Sequence, residues 1–538
     1  MVESNSEGGY PSRVPKFHFA ETLDKQEEQL RTNPMLQRFA DSRCQLSDDR
    51  HRPLYHFVSP ESTLNDPNGL CYWQGRWHLF YQGYPPEDTR VHWGHAISDD
   101  LIHWRDLPYA IYPYPEERCY SGTALVEEDR VIAMYHGVGV GNMVALSSDP
   151  LLLNWQKVGD RAVIPIPDTS EPPAAYSVFD PCIWKKGDFY YALSGGYLPH
   201  GPDKKMIRAN FLFRSSDLAA WDYLHPFVEK DHYTVVGDDG ACPYFWPIGD
   251  KHILLMYSHM TGGQYLLGDY DTQRDKFVVT DGGLFNFGAS NPSGVHAPSA
   301  TPDGNGGVIV IFNMNQGMPT RVWNQIMSLP RRLSLDEDQR LLQEPAGDIE
   351  SLRGGHQRLS DLELPANQEV VLEDIRGAAL ELDIEIEAGA APLVELNVLR
   401  SPGREEFTRI AFYKHRGNRY RQNLSNTDAM NASSMAMAKL PLRQESLITI
   451  DTSYSSTLPD ALSRAPETAP VYLADDEPLH LRVFIDRSIV EVFVNGRQCV
   501  AVRVYPGRVD SDLVSLRAQG QAAMLKRLDA WQMESIWD

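Results

Sequence analysis

Between about residues 51 and 345, short apolar runs alternate with polar turns, a pattern that predicts short β-strands. Five segments share a polar turn followed by an apolar run, and their starts lie 54, 58, 63 and 56 residues apart: 75–81, 129–135, 187–193, 250–257 and 306–312. Five β units of about 55 residues each predict a five-bladed β-propeller, in which a blade is four antiparallel strands. An irregular β-sandwich is the alternative.

A second repeated element follows three of these segments. A Ser and an Asp are followed by a Trp in Ser98 to Trp104, Ser147 to Trp155 and Ser215 to Trp221. We interpret this element as an outer hairpin of a blade.

The flanking parts of the chain have other patterns. Residues 1–50 are polar and mixed, with helical periodicity that Pro34 interrupts, which predicts an N-terminal extension with a short helix or two. Residues 346–365 change character and are predicted to be a linker between the propeller, 51–345, and a second domain, 366–538. Strict alternation in that domain predicts an antiparallel β-sandwich. The predicted fold is therefore all-β.

Composition and charge exclude several function classes. The net charge of −23 disfavours nucleic acid and anionic membranes as partners. The six cysteines form no C-x-x-C pair, and the spacing of His92, His95 and His103 does not suit a metal site, so we expect neither metal nor cofactor. The N-terminus lacks the features of a signal peptide and no apolar run approaches ~18 residues, so we expect a cytoplasmic protein unless a leader was removed.

The candidate chemistry lies where strands begin. Asp66 sits in the turn-forming stretch 62–69, Asp180 precedes the apolar run of the third unit, and Ala241 holds the equivalent place in the fourth. Residues before the inner strands of different blades converge in a propeller, so we expect these three positions at the bottom of one funnel. Two carboxylates from different blades suit a glycosidase. The alternative for each Asp is a hydrogen-bonding role in a turn.

Eight motifs in order resemble glycoside hydrolase family 32, which includes invertases, inulinases and levanases. The stretch 62–69 resembles W-x-N-D-P-N-G, 80–82 resembles F-Y-Q, and 93–104 resembles W-G-H-A-x-S-x-D-L-x-H-W. The others are 120–123 for F-S-G-S, 179–181 for R-D-P, 241–243 for E-C-P, 327–331 for the end of the propeller, and 484–493 for the sandwich. The resemblance spans roughly residues 50 to 535 and implies a propeller followed by a sandwich.

The resemblance also implies a retaining double displacement on a β-fructofuranoside, such as sucrose or a fructooligosaccharide. Asp66 would be the nucleophile, Asp180 would hold two sugar hydroxyls, and a Glu at position 241 would be the acid/base. The fructosyl subsite would be lined by Asn65, Gln82, Trp93, Tyr120 and Ser121, with Trp323 as an aromatic wall.

Two positions depart from the family pattern. Ala241 cannot transfer a proton, so this chain is expected to be impaired. A Glu-to-Ala variant made to trap a sugar and a naturally inactive, sugar-binding relative both fit this residue. Asp238 and Asp239 are possible substitute acids, although a shift of two or three residues changes the face or height of the group.

Phe179 stands where the family has Arg, so we expect a fructosyl subsite that is read differently, or an Arg from elsewhere; plain core packing is the alternative for this ring. Three functions stay open: hydrolysis, fructosyl transfer and sugar binding without catalysis. The sandwich could also supply a homodimer surface.

Overall fold

The computed structural model describes residues 10–167, 175–200, 202–421 and 442–537. It divides into two compact units. The first runs up to Leu352 and includes the C-terminal stretch from Ser535, and the second is Arg353–Glu534.

The first unit contains five antiparallel sheets in chain order. Sheet I is β1 (Leu64–Trp73), β2 (Arg76–Gly83), β3 (His92–Ser98) and β4 (Arg105–Ile111). Sheet II is β5 (Cys119–Val126), β6 (Val131–Gly137), β7 (Gly141–Ser147) and β8 (Gln156–Lys157), with β9 (Ile164–Pro165) on β7. Sheet III is β10 (Pro181–Lys186), β11 (Phe189–Ser194), β14 (Phe211–Ser215) and β15 (Asp222–Pro226), and the hairpin β12 (Tyr197–His200) and β13 (Lys205–Arg208) is separate.

The last two sheets follow the same plan. Sheet IV is β17 (Ala241–Ile248), β18 (Lys251–Ser258), β19 (Gly262–Asp271) and β20 (Lys276–Leu284), with β16 (Val228–Glu229) parallel to β20. Sheet V is β21 (Val295–Pro302), β22 (Val308–Met314), β24 (Arg331–Leu335) and β25 (Leu341–Pro345), with β23 (Ile326–Met327) on β22.

The first strands of the five sheets form a closed ring. Strand β1 contacts β5, β5 contacts β10, β10 contacts β17, β17 contacts β21, and β21 returns to β1. Each predicted repeat segment coincides with the second strand of a sheet: β2, β6, β11, β18 and β22. The prediction of a five-bladed propeller is confirmed, and the inner ends of its blades meet around one axis.

The Ser-Asp-Trp elements are the connections between the third and fourth strands of blades I to III. In blade I, Asp100 Oδ1 accepts the N–H groups of Ile102 and His103 and the hydroxyl of Ser98. Asp217 does the same for Ala219 and Ala220 in blade III. The side chain satisfies turn donors that no strand can reach, which explains the repeated residue pair.

Two helices precede the propeller, α1 (Leu23–Arg31) and α2 (Pro34–Gln45). Pro34 is the first residue of α2, where its missing N–H costs no helical bond, and Asn33 caps the helix by accepting from Met35 and Leu36. Leu30 packs with Ile97 and Leu107 of blade I, so this segment belongs to the propeller unit.

The second unit is a sandwich of two six-stranded antiparallel sheets. One has the order β26 (Arg353–Leu364), β39 (Ala523–Met533), β28 (Ala379–Glu387), β35 (Leu479–Asp486), β36 (Ile489–Val494) and β37 (Gln498–Arg503). The other has the order β27 (Glu369–Arg376), β38 (Leu513–Gln519), β29 (Leu393–Arg400), β30 (Thr408–Tyr413), β33 (Ser446–Asp451) and β34 (Glu467–Val471). A short hairpin, β31 (Arg419–Arg421) with β32 (Leu442–Gln444), is separate.

The predicted linker, 346–365, needs a correction. Residues Ile349–Leu352 form a 3-10 helix, and Arg353–Leu364 is the edge strand β26, which pairs along its length with β39. Most of its side chains are exposed, so the strand lacks the alternation that marks its neighbours. None of the helices in the described part of the chain has the length and apolar character that crossing a membrane requires.

The turn of blade II gives a test of the capping role. Asp149 is buried and accepts the N–H groups of Leu151, Leu153 and Asn154, as well as the side-chain amide of Gln26. Asp149→Ala leaves these donors buried and unpaired, so the free energy of unfolding of the propeller should fall by about 2–4 kcal/mol in equilibrium urea unfolding. Asp217→Ala, the matched turn on an exposed surface, should cost clearly less. Equal losses would contradict the role of burial.

Candidate active site

The first strands of four blades have a register break at the end where they begin. The breaks lie between Leu64 and Pro67 in β1, Cys119 and Gly122 in β5, Ala241 and Tyr244 in β17, and Val295 and Pro298 in β21. Such bulges redirect side chains and are common beside active sites. The residues within the breaks are those that the structure brings together around the axis.

In four of the five first strands, a proline lies one or two residues after the candidate site residue: Pro67, Pro181, Pro243 and Pro298. Proline has no N–H, so at the start of a strand it ends the ladder without leaving a donor unpaired. In blade II, Gly122 takes this place because an added Cβ would lie 2.1 Å from the Met134 carbonyl oxygen. The backbone therefore fixes where the preceding side chains stand.

Asp66 is buried at the start of β1, and its two carboxylate oxygens have different surroundings. Oδ2 accepts from Gln82 Nε2 at 3.0 Å and from the Ser121 hydroxyl at 2.5 Å. Oδ1 has no hydrogen-bond donor, although His296 Nδ1 lies 3.2 Å away as an ion-pair contact. Burial alone would raise the pKa of Asp66, but His296 and Ser121 outweigh it and the pKa is lowered. Asp66 is therefore an ionised carboxylate whose Oδ1 is contacted by His296.

Asp180 is the second buried carboxylate, directly before β10. Its Oδ2 accepts from the backbone N–H of Cys242 at 3.1 Å. Burial, and then the negative charge of Asp66, raise the pKa of Asp180 to about 7. The surroundings therefore drive the pKa values of these two acids apart, a hallmark of paired catalytic carboxylates.

Cys242 joins the two acids. Its Sγ lies 3.6 Å from Asp66 Oδ2 and 3.5 Å from Asp180 Oδ2. Burial and both carboxylates raise the pKa of the thiol well above its usual range, so it is a neutral S–H donor and not a nucleophile. Ala241 is the adjacent residue, buried with Tyr257, Ala297 and Phe179. The structure thus brings Asp66, Asp180 and position 241 together.

The polar residues expected in the subsite lie around Asp66. Gln82 and Ser121 are bonded to it and to each other, with 2.8 Å between Gln82 Nε2 and Ser121 Oγ. Asn65 is partly exposed, donates to Gln82 Oε1 at 3.4 Å and accepts from Asn313. Tyr120 is also partly exposed. These groups can present polar atoms to a ligand beside Asp66.

The roles expected for Trp93 and Trp323 need a correction. Trp93 is 0% exposed and donates its indole N–H to the Tyr120 carbonyl, while packing on Phe80. Trp323 is 1% exposed and donates to Asp49. A ring without an exposed face cannot stack on a sugar, so both are packing residues in this structure.

Phe179 is partly buried beside Ala241 and Cys242, and its ring lies 5.5 Å from that of His136. Its backbone N–H donates to Ser194 Oγ. Among the arginines, the exposed Arg118 approaches the subsite, with Nη1 3.3 Å from the Tyr120 hydroxyl. The guanidinium of Arg208 is buried and bonded to Asp231 and Thr234, so it has no exposed N–H group to donate to a sugar.

Two site residues were missed by sequence reasoning. His296 contacts Asp66. His259, whose ring lies near that of His296, pairs with Asp239. His296 stands two residues before Pro298, as Ala241 does before Pro243, so the repeated proline is a signal that marks it. His259 has no such signal, because it follows the second strand of blade IV. Within the described residues, no group of three His, Cys, Asp or Glu side chains is arranged to hold a metal ion.

Family models and curated proteins match most of the chain. The family model described as "Glycosyl hydrolases family 32 N-terminal domain" matches residues 56–345, and "Glycosyl hydrolases family 32 C terminal" matches 348–532. A levanase of Bacillus subtilis is 26% identical, covering 91% of this chain and 71% of its own. A sucrose-6-phosphate hydrolase of Escherichia coli is 27% identical, covering 89% and 94%.

Solved structures show the same fold. Fructan 1-exohydrolase IIa from Cichorium intybus superposes with a TM-score of 0.74 at 21% identity, covering 90% of this chain and 98% of its own. A Glu-to-Gln form of that enzyme, in complex with 1-kestose, superposes equally well at 22% identity, with the same coverage.

The raised pKa of Asp180 predicts a pH-dependent stability. The group has a pKa near 3.8 in the unfolded chain and about 7 in the folded protein. Between these values the folded state holds a proton that the unfolded state has lost, so stability falls as the pH rises, and the penalty is complete above pH 7. Asp180→Asn removes it. Its stability advantage over the parent should grow between pH 4 and 7 by on the order of 2–4 kcal/mol and then stay level.

Thermal unfolding across this pH range measures the advantage, with the exposed Asp188→Asn of the same blade as the control. A difference between Asp180→Asn and the parent that does not change with pH would contradict the raised pKa.

Proposed function

The chain belongs to glycosyl hydrolase family 32, and from this premise we propose that it hydrolyses β-fructofuranosides with retention, using Asp66 as nucleophile. The family and its relatives make the chain a glycoside hydrolase that acts on fructosides. The proposal adds the stereochemistry, the roles of the residues and the effect of Ala241.

The observation that carries the proposal is the asymmetry of Asp66. Gln82 and Ser121 hold Oδ2 in place, so the carboxylate cannot rotate freely. The buried Oδ1 accepts no hydrogen bond of good geometry and has only the His296 ring nitrogen at 3.2 Å, so a lone pair stays available for attack. An oriented, ionised carboxylate attacks the anomeric carbon and forms a fructosyl ester, which water then cleaves from the same face. Two inversions give retention.

Asp180 suits a different task. A buried carboxyl with a pKa of about 7 can lose its proton when sugar hydroxyls donate to it. Bonds to hydroxyls that strengthen as charge develops at the anomeric carbon stabilise the transition state more than the ground state. The amide N–H of Cys242 holds Asp180 in position for this role.

The proposed substrate is sucrose or a short fructooligosaccharide. The surroundings of Asp66 are polar, and Asn65 and Tyr120 are partly exposed. Phe179 offers an apolar face where the family has Arg, and Arg118, which contacts the Tyr120 hydroxyl, is the proposed donor to outer sugar hydroxyls. Water reaches this site at the partly exposed residues, which favours hydrolysis over transfer.

Ala241 lowers turnover in this proposal. The methyl group is buried beside Tyr257 and Ala297, and it cannot protonate the leaving oxygen. General acid–base catalysis contributes typically ~10²–10⁴-fold to rate. The chain should therefore be a slower enzyme than a counterpart that carries a glutamate at position 241.

Asp66→Asn tests the nucleophile. The amide keeps the size and the contact with Ser121 but cannot form an ester, so fructose release from sucrose should fall by ~10³-fold or more with the fold intact by circular dichroism. Turnover near that of the parent would reduce Asp66 to a turn residue. Methanol added to the parent reaction should yield the methyl β-fructofuranoside, and the α product would contradict retention.

Ala241→Glu tests the missing acid. Fructose release should rise by about tenfold or more over the parent, because a carboxyl returns to the place beside both aspartates. Ala241→Gln is the matched control: it adds the same bulk without a transferable proton and should give no increase. The melting temperatures of the two variants check that both fold. Equal rates for the two variants would show that position 241 does not serve proton transfer.

A further inference from the structure

We propose that His259, held by Asp239, is the proton donor and acceptor of this site in place of a residue at 241. The inference rests on the proposed function and names a residue for a step which that function needs. Ala241 is the direct partner of Tyr257 across β17 and β18, and His259 follows Tyr257 by two residues. The His259 imidazole therefore lies beside position 241, where a residue that could transfer a proton is missing.

Ring contacts connect His259 to the nucleophile. The Tyr257 ring lies 4.8 Å from the His259 ring and 3.8 Å from the His296 ring. The His259 and His296 rings are 6.4 Å apart, and His296 Nδ1 is 3.2 Å from Asp66 Oδ1. The Tyr257 ring thus contacts the rings of both His259 and His296, and His296 contacts Asp66 Oδ1, the attacking oxygen.

Asp239 orients the imidazole. Its Oδ2 bonds to His259 Nδ1, and its Oδ1 accepts the backbone N–H of the same residue at 3.1 Å. The Asp239 side chain is 12% exposed, whereas the His259 side chain is 61% exposed. A largely buried carboxylate that holds Nδ1 fixes the tautomer and leaves Nε2 toward the solvent side for a substrate. The arrangement resembles the imidazole–carboxylate pairs that transfer protons in other enzymes.

The surrounding charges favour a protonated imidazole. Asp239 precedes β17, Asp66 lies in β1 and Asp180 precedes β10, while Tyr257 and His296 are the titratable rings packed nearby. The hydrogen bond that His259 donates to Asp239 raises the pKa of His259 most, burial opposes it, and the charges of Asp239, Asp66 and Asp180 add to the rise. The negative charge of Asp66 therefore favours the protonated form of His259.

The proton balance is complete with these groups. In the first step Asp66 Oδ1 bonds to the anomeric carbon as the bond from that carbon to the leaving oxygen breaks, and the Nε2 proton of His259 passes to that oxygen. In the second step neutral His259 takes a proton from water, the water oxygen bonds to the anomeric carbon, and the Asp66 ester breaks. The enzyme returns to its starting state with no further reactant.

A leaving-group comparison tests the role. Sucrose needs protonation of its leaving alkoxide, whereas a nitrophenyl β-fructofuranoside leaves without it. His259→Gln should lower kcat on sucrose by ~10²-fold and on the nitrophenyl substrate by less than about tenfold. Asp239→Asn, which changes a positioning residue, should lower kcat on sucrose less and move the upper limb of its pH profile to lower pH. His103→Gln, which breaks an exposed His–Asp pair in blade I, is the control and should change neither rate.

A double variant separates this proposal from the proposed function. With Ala241→Glu present, His259→Gln should cost less than about tenfold on sucrose, because the new carboxyl takes over. If His259→Gln alone leaves sucrose turnover and the pH profile unchanged, or slows both substrates equally, His259 is a structural residue and the proposal is wrong. If the parent is inert and only Ala241→Glu is active, the proposed function stands and the role of His259 is overturned. If neither protein releases fructose, the proposed function fails as well.

Discussion

The closure of five first strands into one ring is the constraint on which the site depends. Each strand contacts two others, so a shift in one is opposed by both neighbours. Four of these strands break register where they begin, and the fifth is preceded by Asp180. The breaks turn side chains from different blades toward the axis. The propeller therefore supplies geometry that no local segment contains, and the polar side chains are held by a rigid apolar frame.

The ring brings the carboxyl groups of Asp66 and Asp180 close together. Their repulsion is reduced because the two groups have different hydrogen-bond donors. Asp66 receives Gln82 and Ser121, while Asp180 receives the amide of Cys242. The pKa of the first is lowered and that of the second is raised to about 7. In the proposed mechanism, the first acid attacks the sugar and the second exchanges a proton with sugar hydroxyls. Stability is lost at Asp180 near neutral pH, a cost often found where a fold serves catalysis.

The sequence predicted the parts whose signals are local. Second strands such as β2 and β11 are apolar runs after a polar turn, and the Ser-Asp-Trp turns bond within themselves, so both repeats were visible. The edge strand β26 was predicted as linker because its exposed side chains do not alternate. The sequence predicts that Trp93 and Trp323 line the sugar site, because the identity of an aromatic residue does not indicate whether its ring is exposed. His259 and His296 come together only through the ring, which local patterns do not encode.

The proposed retaining mechanism depends above all on a covalent bond between Asp66 and the sugar. The most direct measurement is mass spectrometry of the parent protein quenched in acid during turnover of a nitrophenyl β-fructofuranoside, followed by peptide mapping. We expect an added mass of one fructosyl group on the peptide that contains Asp66, and none in Asp66→Asn. An unmodified Asp66 peptide despite a rapid initial burst of nitrophenol, or the adduct on another residue, would contradict it.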